Sequence, residues 1–445
     1  MDLTTTETVF LGALCASLKG EQYNCVHEST PMTVDEEAID RTAVGDNTGS
    51  GSSLKPDLCK SFCNQNIVMS GLSDVFTLSN KHRVLPLVFE SVRKTRLAEA
   101  DPALFAAIKR QVIAQVLTQT VRSAEFGVLY GKLRAAGLHP IVVKGQLCNR
   151  LYPLSDHRLT ADDDIFVSEA EFDACRGILE AEGMVTDCPA ESIGDADEVS
   201  YKREGSPLYI ELHRRLFDSS EDACDDLNRF FEGAHDRAVD IGGWLSLPPH
   251  EHLLYLLLHA YKHFVNCGIG IRQFCDIGMW AREYCGEIDW QLLYRQCYSV
   301  HAATFASVAF NVANEYLGID IDLPDPWRTP DVPCVPLLAD VLRGGIYGSD
   351  DYTRLHSSTV TLNAVRQSRR GKRGNLFSTL FPPRSYLVKD YSYLRRMPWL
   401  LPVAWVQRFF RYICETRKTE NNSARGSIKL ARERIELMRM YDIIE

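Results

Sequence analysis

The chain has 445 residues, 24% of them charged and 45% hydrophobic, with a formal net charge of −10. That balance excludes a wholly disordered, collagen-like or disulfide-dense secreted chain, and the length suits two to three domains of about 150 residues each. No unbroken apolar run reaches the roughly 18 residues that span a bilayer, and no basic stretch precedes an apolar run at the Met-Asp-Leu-Thr start, so neither a membrane span nor a secretory signal is read.

In chain order, residues 3–20 read as a short helix with Val9, Leu11, Leu14 and Leu18 as its apolar positions. Residues 26–57 carry seven acidic and two basic residues and a Gly/Ser run but no periodic apolar face, which predicts a disordered insertion. Cys59 and Cys63 follow at C-x3-C spacing, with no second pair to complete a zinc site. A long helix is predicted from Leu104 to Ala136 on Phe105, Ile108, Val112, Val116, Val121, Ala124 and Val128, closed by Gly137 and Pro140.

Ile141-Val142-Val143 is short and β-branched, as a buried strand would be. A second strand is predicted at Asp163–Val167, and the Ser168–Glu171 pair after it is a capping-box pattern opening a helix to about Glu182. Strand-like pieces recur at Val199–Arg203 and Leu208–His213. From Asp225 the chain reads as mostly helical, with pieces at 252–260, 270–284, 289–317 and 424–442. The predicted fold is therefore α/β plus α, a small mixed sheet flanked by helical regions. Four parts are expected: an N-terminal helical region over 1–103, an α/β core over 104–216, a helical domain over 217–365 and a basic helical region over 366–445. Cys148, Cys175, Cys275 and Cys297 lie inside apolar stretches, which suits reduced thiols in a cytoplasmic protein.

Charge is uneven. Residues 366–418 hold thirteen Lys/Arg against two Asp/Glu, a net +11 that leaves −21 for the remainder. A basic loop folded against the acidic remainder explains this, as does an anionic partner.

The chemistry-bearing pattern is Asp162-Asp163-Asp164-Ile165-Phe166-Val167. Alternation along a strand puts Asp162, Asp164 and Phe166 on one face and Ile165 and Val167 on the other, with Asp163 pointing away. Two carboxylates at i and i+2 repel, and a divalent cation such as Mg²⁺ removes the conflict. A solvated turn also fits the pattern alone. In Leu208–His213, however, Tyr209, Glu211 and His213 share a face opposite Leu208, Ile210 and Leu212. In matching register, Glu211 comes within ~5–8 Å of the aspartates. Three carboxylates on one surface suit one or two metals and phosphoryl chemistry. Upstream, a strand runs into Lys144-Gly145-Gln146, a turn suited to phosphate. His259, Lys262 and His263 share one face of a predicted helix, in core-facing or nucleotide-contacting roles. Arg272 and Asp276 are spaced as an i,i+4 pair.

Val143-Lys144-Gly145, Leu151-Tyr152-Pro153, Arg158 and Asp162-x-Asp164-Ile165-Phe166-Val167 together resemble a bacterial family of nucleotidyltransferases in the polymerase-β-like superfamily. His82–Leu87, Glu211-Leu212-His213, His259, Asp276, Ile288-Asp289-Trp290 and Leu400–Trp405 look similar in the same order, so the resemblance covers most of the chain outside 26–57. It implies metal-dependent transfer of a nucleoside monophosphate from an NTP, with ATP the first choice, to a hydroxyl-bearing small molecule, peptide or protein. Nucleic acid is not the expected partner. The resemblance places Asp162, Asp164 and Glu211 at the metal and Lys144 and Gly145 at the phosphate-cradling turn; Gln146 and Arg158, which lie within the matching stretch, and Lys262, which reaches toward phosphate from its predicted helix, are the further nucleotide-binding candidates. There are two departures. Gly145-Gln146 replaces the superfamily's Gly-Ser or Gly-Gly turn, and Asp163 stands where the family has an apolar residue. The first departure motivates an alternative: a catalytically silent nucleotide-binding or scaffold protein of the same fold.

Overall fold

The computed structural model describes residues 2–20, 25–26, 67–68, 71–93, 97–218, 227–266, 268–328, 332–345, 365, 384–388, 391–408 and 424–444. The acidic stretch at 26–57 and the pair Cys59/Cys63 lie almost wholly outside them, as does much of the basic window.

Helix α1, Thr5–Leu18, opens on a reciprocal cap: the Glu7 N–H donates to Thr4 Oγ1 and the Thr4 N–H to Glu7 Oε2. Its Phe10, Leu11, Leu14 and Leu18 pack on α2, Leu72–Lys81, and α3, Leu85–Val92. Helix α4, Pro102–Ala135, starts where Asp101 accepts the Leu104 N–H. At 34 residues it is about 50 Å long, more than one core covers. The face expected to be buried therefore holds only in part. Val121 and Val128 are exposed, while Phe126, Leu129 and Leu133 are buried. The second half of α4 packs on the sheet side through residues off the predicted stripe, and Phe126 meets Trp244.

The central sheet has six strands: β1 Ile141–Val143, β2 Asp163–Phe166, β3 Glu198–Lys202, β4 Tyr209–His213, β5 Val239–Ile241 and β6 Trp244–Ser246. Their spatial order is β3-β4-β2-β1-β6-β5. β2 is antiparallel to β1 and parallel to β4, and β6 is parallel to β1. The sheet is mixed, as predicted. The β5–β6 hairpin was not, because helix was expected from Asp225 onward. Three-residue strands are too short for a period of two to register, and the only local signal is Gly242-Gly243 at the turn, both at positive φ.

Between strands, α5, Gly145–Asn149, and α6, Glu169–Ala181, cover the sheet. The α6 capping box does not form: Ser168 makes no side-chain cap, and Glu171 turns instead to the His139 N–H and Nδ1. After the sheet come α7 Pro249–Asn266, α8 Ile271–Glu283, α9 Trp290–Tyr298, α10 Ala303–Glu315 and α11 Val335–Gly344. The single piece predicted at 289–317 is two helices, broken where His301 takes a φ of 58°. The last helix is α12, Ala424–Met440. Sheet and helices share one continuous apolar core. No described helix is long and apolar enough to cross a membrane.

Candidate active site

Register assembles the site. Asp164 pairs with Val143 on one side and Glu211 on the other, so the end of β1 and two carboxylates meet in one row. Asp164 is buried and Glu211 half-buried. Their oxygens and a ring nitrogen of His213 all lie within 4.8 Å of one another. Asp162 shares a cleft with Asp164, the one member of that tight group that lines it, and itself stands outside the group. His213 was not singled out from sequence as a site residue, although β4 alternation places it on the face of Glu211. Its Nε2 is 3.1 Å from Asp164 Oδ1 and 3.9 Å from Glu211 Oε2.

Lys144 holds the other side of Asp164, with Nζ 3.0 Å from Oδ1. Burial works against the Lys144 charge, but Asp164, Tyr255, Asp162 and Glu211 outweigh it and push its pKa well above the ordinary value. Burial likewise pushes the Asp164 carboxyl up, yet Lys144 and the His213 contact hold it down at about 2. Glu211 goes the other way, to about 9, through burial and the charges of Asp164 and Asp162. The row thus keeps one firm carboxylate beside one that resists ionising.

Helix α7 supplies the floor. His252 Nε2 accepts the Lys144 backbone N–H at 3.1 Å, and His259 Nε2 meets Lys144 Nζ at 2.9 Å. Burial, then Lys144, depresses the His259 pKa far below 6.5, so its ring is neutral and accepts from the ammonium. His263 Nε2 is 3.2 Å from His259 Nε2. Lys262, on the same helix, does not line the cleft.

The turn between β1 and α5 is strained at Lys144, with φ 55° and ψ −126°. Gly145 follows at φ 26°, and a Cβ there would lie 3.0 Å from Asp163 Oδ1. Asp163 does point away from the site, as alternation predicts. It is buried and accepts from Gln146 Nε2 at 3.0 Å. Burial raises its pKa to about 7 against the pull of Gln146 and Arg122. Gln146 thus spends its side chain on Asp163.

Arg158 is also committed. Its Nε and Nη2 donate to Asp276 Oδ1 and Oδ2 at 2.7 Å each, and Nη1 reaches Asn149 Oδ1 at 2.8 Å. The Tyr152 hydroxyl donates to Asp276 Oδ1 at 2.7 Å. The i,i+4 pairing of Asp276 with Arg272 does not form, because the buried bidentate fork of Arg158 takes the carboxylate. Arg272 turns to the Leu159 carbonyl. Lys144, Gly145, Arg158, Thr160, Asp162, Asp164, His259, Arg272 and Gln273 line one cleft between sheet and helices.

A family model for an uncharacterised nucleotidyltransferase matches residues 70–318, more than half of the chain and every element that builds this cleft. The chain belongs to that family. Comparison with curated proteins and with solved structures gives no match. Membership in the nucleotidyltransferase family supports nucleotidyl transfer in general and an NTP as substrate.

The donors also fit the divalent metal that nucleotidyltransferases generally use. Asp164 Oδ2 is buried with no hydrogen-bond partner, an orphan acceptor beside a second carboxylate and an imidazole. Oxygen-rich sets suit hard cations, and one imidazole remains compatible with them.

Proposed function

We propose that this nucleotidyltransferase-family protein is a Mg²⁺-dependent enzyme moving a nucleoside monophosphate from an NTP, with ATP the first choice, to a hydroxyl-bearing acceptor. The observation that carries the reading is the in-register pair Asp164 and Glu211, with Asp164 Oδ2 buried and unpartnered. Asp164, Glu211 and Asp162 would hold the ion. Bound there, it supplies charge neutralisation for the phosphates and lowers the pKa of the acceptor hydroxyl.

The protein's own groups do the rest. Lys144 fixes the Asp164 carboxylate in its ionised form, and His259 and His252 fix Lys144. Gly145, without a Cβ, leaves room for the Asp163 carboxyl behind the turn, which keeps the turn tight against β2. The acceptor hydroxyl gives up its proton to solvent, and its oxygen bonds to the α-phosphorus as the bond to pyrophosphate breaks. The Arg158–Asp276 fork holds the turn that carries Gly145, since Arg158 Nη1 donates to the Gly145 carbonyl at 3.3 Å. The free, buried Cys148, Cys175, Cys275 and Cys297 support a cytoplasmic location.

The test is pyrophosphate release from labelled NTP with Mg²⁺ and a metabolite pool. Asp164→Ala should lower it by about 100-fold or more. Release unchanged by that substitution would remove the proposed site.

A second reading rests on the Gly145-Gln146 turn, where the Gln146 side chain is tied to Asp163 and does not line the cleft. It makes the protein a catalytically silent nucleotide binder. Calorimetry showing ATP binding with Mg²⁺, and no transfer to any acceptor, would favour it.

A further inference from the structure

Three cations line the cleft: Lys144, Arg158 and Arg272. Lys144 is paired with Asp164 and Arg158 with Asp276. Arg272 has no carboxylate partner among the described residues. It is only 8% exposed, it donates one Nη1 hydrogen bond to the Leu159 carbonyl, and its Nε is buried without a hydrogen-bond partner. A buried guanidinium with no counter-charge is costly. An arrangement of this kind is sustained when an anion completes it. Next to it, Gln273 lines the same cleft. Both residues stand in the first turn of the 13-residue α8, the end of a helix that favours negative charge. Across the cleft lie Asp162 and Asp164, which repel an anion unless a cation intervenes.

We propose that Arg272 grips the β- and γ-phosphates of the nucleoside triphosphate, so that α8 and not the turn at Gly145-Gln146 carries the pyrophosphate end of the substrate. The inference rests on the nucleotidyl-transfer reading and deepens it. The planar fork of Arg272 matches a phosphate through its Nε and a terminal nitrogen. The Gln146 side chain, turned to Asp163 on the other face of β2, leaves this role open.

The experiment is calorimetry on the full-length chain in Mg²⁺ buffer with three probes: ATP, pyrophosphate and AMP. Wild type should bind ATP and pyrophosphate, with AMP much weaker. Arg272→Gln should weaken ATP and pyrophosphate by about 10- to 100-fold and leave AMP within about twofold. Equal weakening of ATP and AMP, or no weakening of either, overturns the grip while leaving nucleotide binding intact. If wild type binds neither ATP nor pyrophosphate, the nucleotidyl-transfer reading itself falls. Should Arg272→Gln not fold, Gln273→Glu decides the matter, because it puts a carboxylate beside the guanidinium with little change of shape. It should lower pyrophosphate affinity by about tenfold at an unchanged melting temperature. Unaltered pyrophosphate affinity in that variant rejects the proposal.

Discussion

Asp164 and Glu211 face each other across the parallel β2–β4 ladder, and the protein treats them oppositely: the first is held at about 2 and the second is driven to about 9. Lys144 and His213 lie on Asp164 itself, whereas Glu211 gains the burial and the repulsion without an equal partner. In the absence of metal, the raised Glu211 pKa makes its charge a source of instability that grows as pH rises from 4.5 through 9. Glu211→Gln should therefore melt higher than wild type in chelator at pH 8. Added Mg²⁺ should raise the wild-type melting temperature and leave the variant nearly unmoved. Differential scanning calorimetry with and without Mg²⁺ checks both; an equal metal response in the two proteins would exclude Glu211 as a ligand.

Asp276 is predicted to be structural. It receives both forks of Arg158 and the Tyr152 hydroxyl in a buried setting. Asp276→Asn should cost about 3–5 kcal/mol, the usual penalty for stranding a buried charge. Arg158→Lys should not rescue the fold, since an ammonium cannot span both oxygens. Urea unfolding of the two variants measures the effect.

Asp163 makes a pH signature of its own. A carboxyl whose folded pKa is about 7, against an ordinary 3.8, costs stability as pH rises between those values. Asp163→Asn should be more stable than wild type at pH 8, by up to about 4 kcal/mol, and the gap should close below pH 4. Unfolding titrations at both pH values test it. A constant gap across pH would mean that the carboxyl is ionised throughout.

His82 gives the reverse slope. Its ring is fully buried, contacting the Leu342 carbonyl at 3.0 Å through Nε2 and accepting the Ile271 N–H at 3.3 Å through Nδ1. Burial lowers its pKa to about 4. Above 6.5 neither the folded nor the unfolded ring is charged. As pH falls from 6.5 to 4 the unfolded chain gains a proton that the folded one refuses, so stability drops, by up to about 3 kcal/mol. His82→Gln should be less stable at pH 7.5, yet its stability should fall less between pH 6.5 and 4.5. Parallel curves would contradict the assignment.

The acidic row was legible because alternation is a strong local constraint. Once β2 and β4 are strands, the faces of Asp164, Glu211 and Asp163 follow, and only the register remained for the structure to supply. Arg158 and Gln146 were harder. Their types suit phosphate, but Asp276 lies 118 residues from Arg158, and nothing local says that it claims the guanidinium. The i,i+4 spacing of Arg272 and Asp276 is silent on the same point. The helical neighbour of Arg272 at i+4 was already taken by a residue from another element. The β5–β6 hairpin was lost to brevity, and the buried face of α4 to its length, which carries it from one packing partner to another.

The bond between Arg158 and Asp276 also limits how far this molecule can be dissected. Every proposed metal ligand lies before residue 214, so a fragment ending after β4 keeps them all. It would nonetheless strand a guanidinium in an apolar interior and remove the cleft wall opposite the carboxylates. The strands bring the reactive oxygens, but only the downstream helices give them an opposite wall. A transplant onto another scaffold would have to carry both.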